Sequence, residues 1–176
     1  MKSERNHLYI FSGLPGTGKT TLAKSLANHV EAVFLRIDTI EQGMRDLCGF
    51  KVEGEGYRLS YRIAADNLML GNSVVADSCN PIKLTRREWQ EVALSNSSFY
   101  TNIEVICSDT EEHKKRIKER ECDIPGMDLP SWKEVEEREY DSWDEGRILI
   151  DTAHKNANES FNELLAKLNM PHNKAN

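Results

Sequence analysis

This chain predicts an α/β fold with a parallel sheet at its centre. Two observations carry that reading. Short apolar runs that end in turn or charged residues alternate with amphipathic helical stretches along the whole length, and a glycine-rich turn joins the first apolar run directly to the first helix. Residues 8–12 form the first strand. Residues 19–29 place Leu22, Leu26 and Val30 on one helical face, and residues 32–37 read as a second strand closing on Asp38. Tyr57, Tyr61, Ala64 and Leu68 recur at helical spacing over residues 57–70, and Gly71 stops that helix. The third strand, residues 73–76, delivers Asp77. Thr85 with Glu88 spells a capping box for a helix whose buried side is Leu84, Trp89, Val92 and Ala93. The fourth strand is residues 103–107. Asp109 with Glu112 caps a charged helix running to Glu121, after which Pro125, Gly126 and Pro130 break the pattern until Ser131 and Glu134 cap another helix. That interruption marks a candidate mobile lid, about residues 110–143 with its flanks. Residues 148–150 form the fifth strand. Phe161, Leu164, Leu165 and Leu168 give the last helix its apolar stripe before a polar tail, residues 171–176. With no repeat, linker or low-complexity run, residues 1–176 are expected to form one domain.

The chain has 176 residues, 39% hydrophobic, enough for one sizeable core. A net charge of −6 with 30% charged residues describes an acidic surface, which does not attract a polyanionic backbone; nucleic acid would need a local basic groove. Cys48, Cys79, Cys107 and Cys122 form no CxxC pair and no Cys/His cluster at ligand spacing, as expected of reduced thiols in a cytoplasmic protein. The start, MKSERNH, lacks the apolar stretch of a secretion signal, and no window of about 18 apolar residues could span a membrane.

Gly13-Leu-Pro-Gly-Thr-Gly-Lys-Thr20 fits G-x-x-x-x-G-K-[ST] in the strand-to-helix context that its mechanism demands. Backbone N–H groups of Gly13, Pro15's successor Gly16, Thr17 and Gly18, with the helix N-terminus behind them, make a nest for the phosphates of a nucleoside triphosphate. Pro15 shapes the turn. Lys19 follows charge on the γ-phosphoryl group, the Thr20 hydroxyl completes part of a Mg²⁺ shell, and Thr21 lies beside it on the helix. Asp77, at the end of the third strand, is the second candidate for the metal.

The remaining residues choose among the chemistries such a cradle serves. The guanine-reading Asn-Lys-x-Asp is absent, its nearest match being Asn173-Lys-Ala-Asn176 in the tail. Asp77 is followed by Ser78 rather than by a Glu that activates water, as in hydrolytic motors. Asp38 lies at the carboxyl end of the second strand, where open parallel sheets place ligand-contacting residues, and can accept a hydroxyl proton; an N-cap for the helix over residues 39–47 is its other use. Arg116 and Arg120, four apart on one helical face, suit an anion between them, against the plain alternative of pairs Glu112–Arg116 and Lys115–Glu119. Arg86 and Arg87 stand in the first turn of a helix, where the macrodipole disfavours bases, and are candidates for an acceptor. None of the five histidines has a metal or triad arrangement, and none is assigned a catalytic role.

Taken in order, GLPGTGKTTLA, Arg36-Ile-Asp38 with Arg45 downstream, Gly71-Asn-Ser-Val-Val-Ala-Asp77 followed by Asn80 and Arg86-Arg87, and Arg116-Ile-Lys-Glu-Arg120 before an acidic lid and tryptophan-rich helix resemble the small P-loop kinases related to polynucleotide kinase, the chloramphenicol phosphotransferases and the zeta toxins. The resemblance covers roughly residues 8–168. It implies a three-layer P-loop fold with sheet order 2-3-1-4-5, a lid closing over ATP, Asp38 as base for an acceptor hydroxyl, and Arg116 and Arg120 on the transferring group. It also makes Asp151-Thr-Ala, with Thr152, an adenine-side loop. Residues 45–62, with Arg45, Glu53, Glu55, Tyr57, Arg58 and Arg62, are then expected to shape the acceptor pocket. The expected activity is ATP- and Mg²⁺-dependent transfer to a hydroxyl of a small polar molecule, by a monomer or homodimer. The alternatives are a 5′-hydroxyl nucleic-acid or nucleoside acceptor, which the acidic charge disfavours, and a regulatory module with slow hydrolysis, which would not need Asp38 and paired lid arginines.

Overall fold

The computed structural model describes residues 6–49 and 51–171; MKSER, Phe50 and the tail beyond Pro171 lie outside the described residues, as does the Asn173–Asn176 match. Five strands, β1 (His7–Ser12), β2 (Val33–Arg36), β3 (Val74–Asp77), β4 (Phe99–Ile106) and β5 (Ile148–Asp151), pair in parallel in the order β2-β3-β1-β4-β5. This is the order the resemblance implies. Among the described residues seven helices accompany them: α1 (Lys19–His29), α2 (Ile37–Cys48), α3 (Glu55–Met69), α4 (Lys83–Ser95), α5 (Thr110–Glu119), α6 (Trp132–Glu136) and, after β5, α7 (Ala157–Lys167).

Alternation along the central strand divides the core into two. Tyr9 and Phe11 point to one face, where they join Leu22 and Leu26 of α1, Val75, Ile103, Val105, Ile150, and Leu164 and Leu165 of α7. Leu8 and Ile10 point to the other, with Leu35, Ala64 and Leu68 of α3, Val74, Ala76, and Trp89 and Ala93 of α4. Covered on both faces, β1 carries a continuous apolar run rather than an alternating one. Trp89 is fully buried and meets Tyr61 edge-on at 4.6 Å between centroids. No helix among the described residues is long and apolar enough to cross a membrane.

α1 spans the residues its periodicity predicts. Elsewhere the helix starts differ, and the differences place the site. α2 begins at Ile37, so Asp38 is inside its first turn and not its N-cap; the cap position is Arg36, without a side-chain bond. The Thr85–Glu88 capping box does not form. α4 starts two residues before Thr85, the Asp141 carboxylate accepts the Lys83 N–H at 2.8 Å, Thr85 Oγ1 donates to Ile82 O, and Leu84 is exposed. A carboxylate distant in sequence has replaced the local one, which no window around Thr85 reveals. Asp109 does cap α5 by accepting from Glu112 N at 2.8 Å, but the Glu112 side chain turns to Arg116 and His154 instead of closing a box. Ser131 and Glu134 form their box, on a helix of only five residues.

Candidate nucleotide and acceptor site

The loop after β1 is shaped by what surrounds it. Gly13 adopts φ 141°, and a Cβ there would lie 2.2 Å from Val105 O, so only glycine fits between β1 and β4. The Gly13 N–H donates to Cys79 O, which ties the loop's start to the end of β3. Thr17, buried, donates from Oγ1 to Leu14 O at 3.0 Å. Two carbonyls on the outer side of the loop are also taken: Pro15 O by a ring nitrogen of His113 at 2.7 Å, and Thr17 O by Thr152 Oγ1 at 2.8 Å. Gly18 stands before α1 in the left-handed region with no side-chain cap, so the first N–H groups of α1 remain available to an anion.

Lys19 lies in this loop as an ion pair. Its Nζ is 2.9 Å from Asp77 Oδ1, with side chains 10% and 1% exposed, and Arg36 Nε is 4.0 Å from Asp77 Oδ2. Burial opposes the ammonium, yet the adjacent Asp77 charge and hydrogen bond more than offset it, and the Lys19 pKa stands above the ordinary lysine value.

A cleft of about 710 Å³ opens beside the loop. It is lined by Gly13, Pro15, Gly16, Gly18, Lys19, Thr20 and Thr21 from the cradle, by Asp38 and Arg45 from α2, and by Arg116 and Arg120. The predicted phosphate, base and arginine residues thus share one space, with Thr17 and Asp77 buried behind it. Thr152 lines an adjoining cavity of about 220 Å³ with Gly16, Gly18, Thr21 and Arg116, on the side expected for the base of a nucleotide.

The acceptor end differs from the expectation. Of the described residues in 45–62 only Arg45 lines the cleft; Arg58 and Arg62 are exposed, and the Tyr57 hydroxyl instead accepts the Asn80 N–H. One face of α2 provides the wall, with Asp38, Glu41, Gln42 and Arg45 at positions i, i+3, i+4 and i+7. That polar stripe was readable in the sequence. Arg45 donates to Glu41 at 3.2 Å and to Gln42 at 3.3 Å, and Glu41 is backed by Gly56, where a Cβ would lie 2.3 Å from Glu41 Cγ. Burial raises the Glu41 pKa against the lowering by Arg45, and Asp38 adds to the rise. The Asp38 carboxylate makes no hydrogen bond or ion pair among the described residues.

The segment between α5 and α6 roofs the cleft through Asp123 and residues 126–130. Asp123 accepts from Lys24 at 2.9 Å and from Arg36 at 2.8 Å, and Gly126 O accepts from Gln42. The Lys24 and Arg36 hydrogen bonds hold the Asp123 carboxyl down at about 2. α5 itself is fixed to the core rather than free with the lid: Arg116 donates to Thr152 Oγ1 and O, and to Glu112 at 2.5 Å. Arg120 departs from the shared helical face expected of it. It is the C-cap, with φ −67° and ψ 130°, and reaches the cleft from beyond the end of α5.

Arg86 and Arg87 are not brought to the cleft. Arg86, 2% exposed, donates to Asn80 O, Pro81 O, Asp141 O and Ser142 O, and its guanidinium lies over Tyr140 and Trp143. Arg87 pairs with Glu145 at 3.4 Å. The residue that opposed its helix dipole was serving a loop of the same chain. Glu41, Gln42, Asp123 and Arg138, to which the sequence assigned no role, line the cleft together with the capping residue Glu134, and His113 supports it from behind.

A parallel 2-3-1-4-5 sheet with a glycine-rich cradle and a lid at its carboxyl edge is the P-loop kinase fold. The chain belongs to the AAA_33 family, described as an AAA domain, which it matches over residues 8–138. Solved structures share the fold at low identity. The Mycobacterium tuberculosis APS kinase CysC in complex with AMPPNP and APS has TM-score 0.68 and 15% identity, covering 94% of this chain and 99% of that one. A gluconokinase from Sinorhizobium meliloti 1021 has TM-score 0.66 and 17% identity, covering 94% and 93%. Chaetomium thermophilum Kti12 in complex with ADP-AlF3 has TM-score 0.65 and 19% identity, covering 90% and 97%. No curated protein matches the chain.

Proposed function

We propose that the protein is an ATP-dependent phosphotransferase that moves the γ-phosphoryl group to a hydroxyl of a small polar molecule. The observation that carries this reading is Asp38: a carboxylate without a hydrogen bond or ion pair among the described residues, lining the same cleft as the phosphate cradle, Arg116 and Arg120. A module that only bound nucleotide would have no use for it there. The solved relatives named for APS kinase and gluconokinase activity support the same class.

In this mechanism the Gly13–Thr20 backbone and the α1 N-terminus hold the phosphates, and Lys19 exchanges its Asp77 partner for phosphoryl oxygens. Asp38 orients the acceptor hydroxyl and takes its proton, while Arg116 and Arg120 meet charge on the transferring group. A divalent cation fits the residues present: Asp77 Oδ2 is a buried oxygen without a hydrogen-bond partner, and Thr20, next to Lys19 that pairs with Asp77, lines the cleft. Thr20 and Asp77 would hold such a Mg²⁺ or its waters, and when bound it would neutralise charge on the phosphates.

The test is acceptor-dependent ADP release across polyols, sugars, aminoglycosides, nucleosides and 5′-hydroxyl oligonucleotides. Release driven by one class and lost in Asp38→Asn supports transfer. Acceptor-independent release that survives Asp38→Asn would move the protein to the slow hydrolytic module.

A further inference from the structure

Peptide planarity converts a hydrogen bond on the outside of the cradle into an aim on its inside. The carbonyl and N–H of a trans peptide point in opposite directions, so whatever fixes the Pro15 carbonyl also fixes the Gly16 N–H. His113 of α5 does the fixing. Its Nε2 lies 2.7 Å from Pro15 O, and because a carbonyl only accepts, Nε2 carries the proton. Gly16 brings the loop close against α5: its φ is 81°, and a Cβ there would lie 2.6 Å from Ile117 Cδ1, so the approach requires glycine. The device recurs two residues on, where Thr152 Oγ1 holds Thr17 O and so directs the Gly18 N–H.

The His113 ring has a second neighbour. Trp132, where the lid segment re-enters helix, meets it edge-on with centroids 5.2 Å apart and planes at 81°. His113 is 6% exposed and does not line the cleft, so it acts on a ligand only through the backbone it holds. We propose that His113 is a positioning residue that aims the Gly16 N–H at a bound phosphate and couples that aim to the seating of Trp132 at the end of the lid. The proposal rests on the nucleotide-binding reading above.

Two variants separate positioning from packing. His113→Leu keeps an apolar filler and removes the donor, whereas His113→Gln keeps an amide N–H at similar reach. Calorimetry with MgATP should show affinity about 10-fold weaker in His113→Leu, the scale of one hydrogen bond, and within about twofold of wild type in His113→Gln. Full affinity in a folded His113→Leu, or a loss in His113→Gln as large as that in His113→Leu, overturns the assignment. A readout that does not depend on the leucine variant folding is the Gly16 amide resonance by NMR, which Trp132→Leu should shift; an unmoved resonance overturns the coupling to the lid. If wild type failed to bind MgATP at all, the nucleotide reading would fall and this inference with it, an outcome distinct from wild-type binding that His113→Leu leaves untouched.

Discussion

Asp77 holds Lys19 with one carboxylate oxygen at 2.9 Å and leaves the other without a hydrogen bond, 4.0 Å from Arg36 Nε. The pair is buried, so the two residues contribute to the fold as well as to phosphate binding. Lys19→Ala should abolish most triphosphate affinity and, by leaving the Asp77 charge uncompensated, should also cost about 3 kcal/mol of stability. Adding Asp77→Asn should recover most of the melting temperature and none of the affinity. Thermal melts alongside MgATP calorimetry check this; a single variant as stable as wild type would show that Arg36 alone neutralises Asp77.

Asp38 lies in the first turn of α2, where an acid gains about 0.3–1 kcal/mol from the helix dipole. Asp38→Asn should therefore lower stability by no more than that amount while reducing acceptor phosphorylation by about 10²- to 10⁴-fold, with MgATP affinity unchanged. Single-turnover transfer measured beside a melt decides it. A near-normal rate with a large drop in melting temperature would make Asp38 structural.

Arg116 and Arg120 should separate. Arg116 is held by Thr152 and Glu112, so Arg116→Ala should weaken nucleotide binding and stability together. Arg120 makes no such bonds among the described residues, and Arg120→Ala should lower the transfer rate by more than it weakens ATP binding, since charge shifts toward the bridging oxygen of the leaving group in the transition state. Comparing kcat with Kd for the two variants tests this, and equal effects on both constants would refute the division.

The Asp123 latch sets a pH window. Its folded pKa, about 2, lies below the unfolded carboxylate value, so its contribution is whole above about pH 4 and is lost as pH falls through about 2. Amide exchange in residues 120–131, corrected for intrinsic rates, should be equally slow at pH 5 and pH 7. Asp123→Asn should speed it at both. Because the Asp123 side chain is 55% exposed, global stability should change by less than about 1 kcal/mol.

Periodicity and turn residues located every strand and helix in the sequence, because each element is bounded by its own chemistry: Gly71 ends α3, Ser131 starts α6, and the Gly13–Thr20 spacing admits one geometry. The sequence also placed the cradle, Asp38, Arg45, Arg116 and Arg120 together, and they do line one cleft, although Arg120 reaches it from the C-cap rather than from the helical face its spacing suggested. What was not legible depends on partners far along the chain. Asp141 caps α4 across a separation of 58 residues, Arg86 answers to the segment after α6, and His113 reaches Pro15 from 98 residues away. Local patterns carry no trace of these. The α2 stripe of Glu41 and Gln42 was in plain spacing beside Asp38, but the missed first turn placed the helix start two residues late.

Arg86 also fixes one end of the segment that roofs the cleft. Its guanidinium holds the carbonyls of Asp141 and Ser142 on its edge and the rings of Tyr140 and Trp143 on its faces, nailing the irregular return segment to α4. Its other end is anchored as well, by the last turn of α5 on Thr152. The irregular stretch between them is thereby bounded by two buried or half-buried arginines, Arg116 and Arg86, of which Arg86 does not line the cleft.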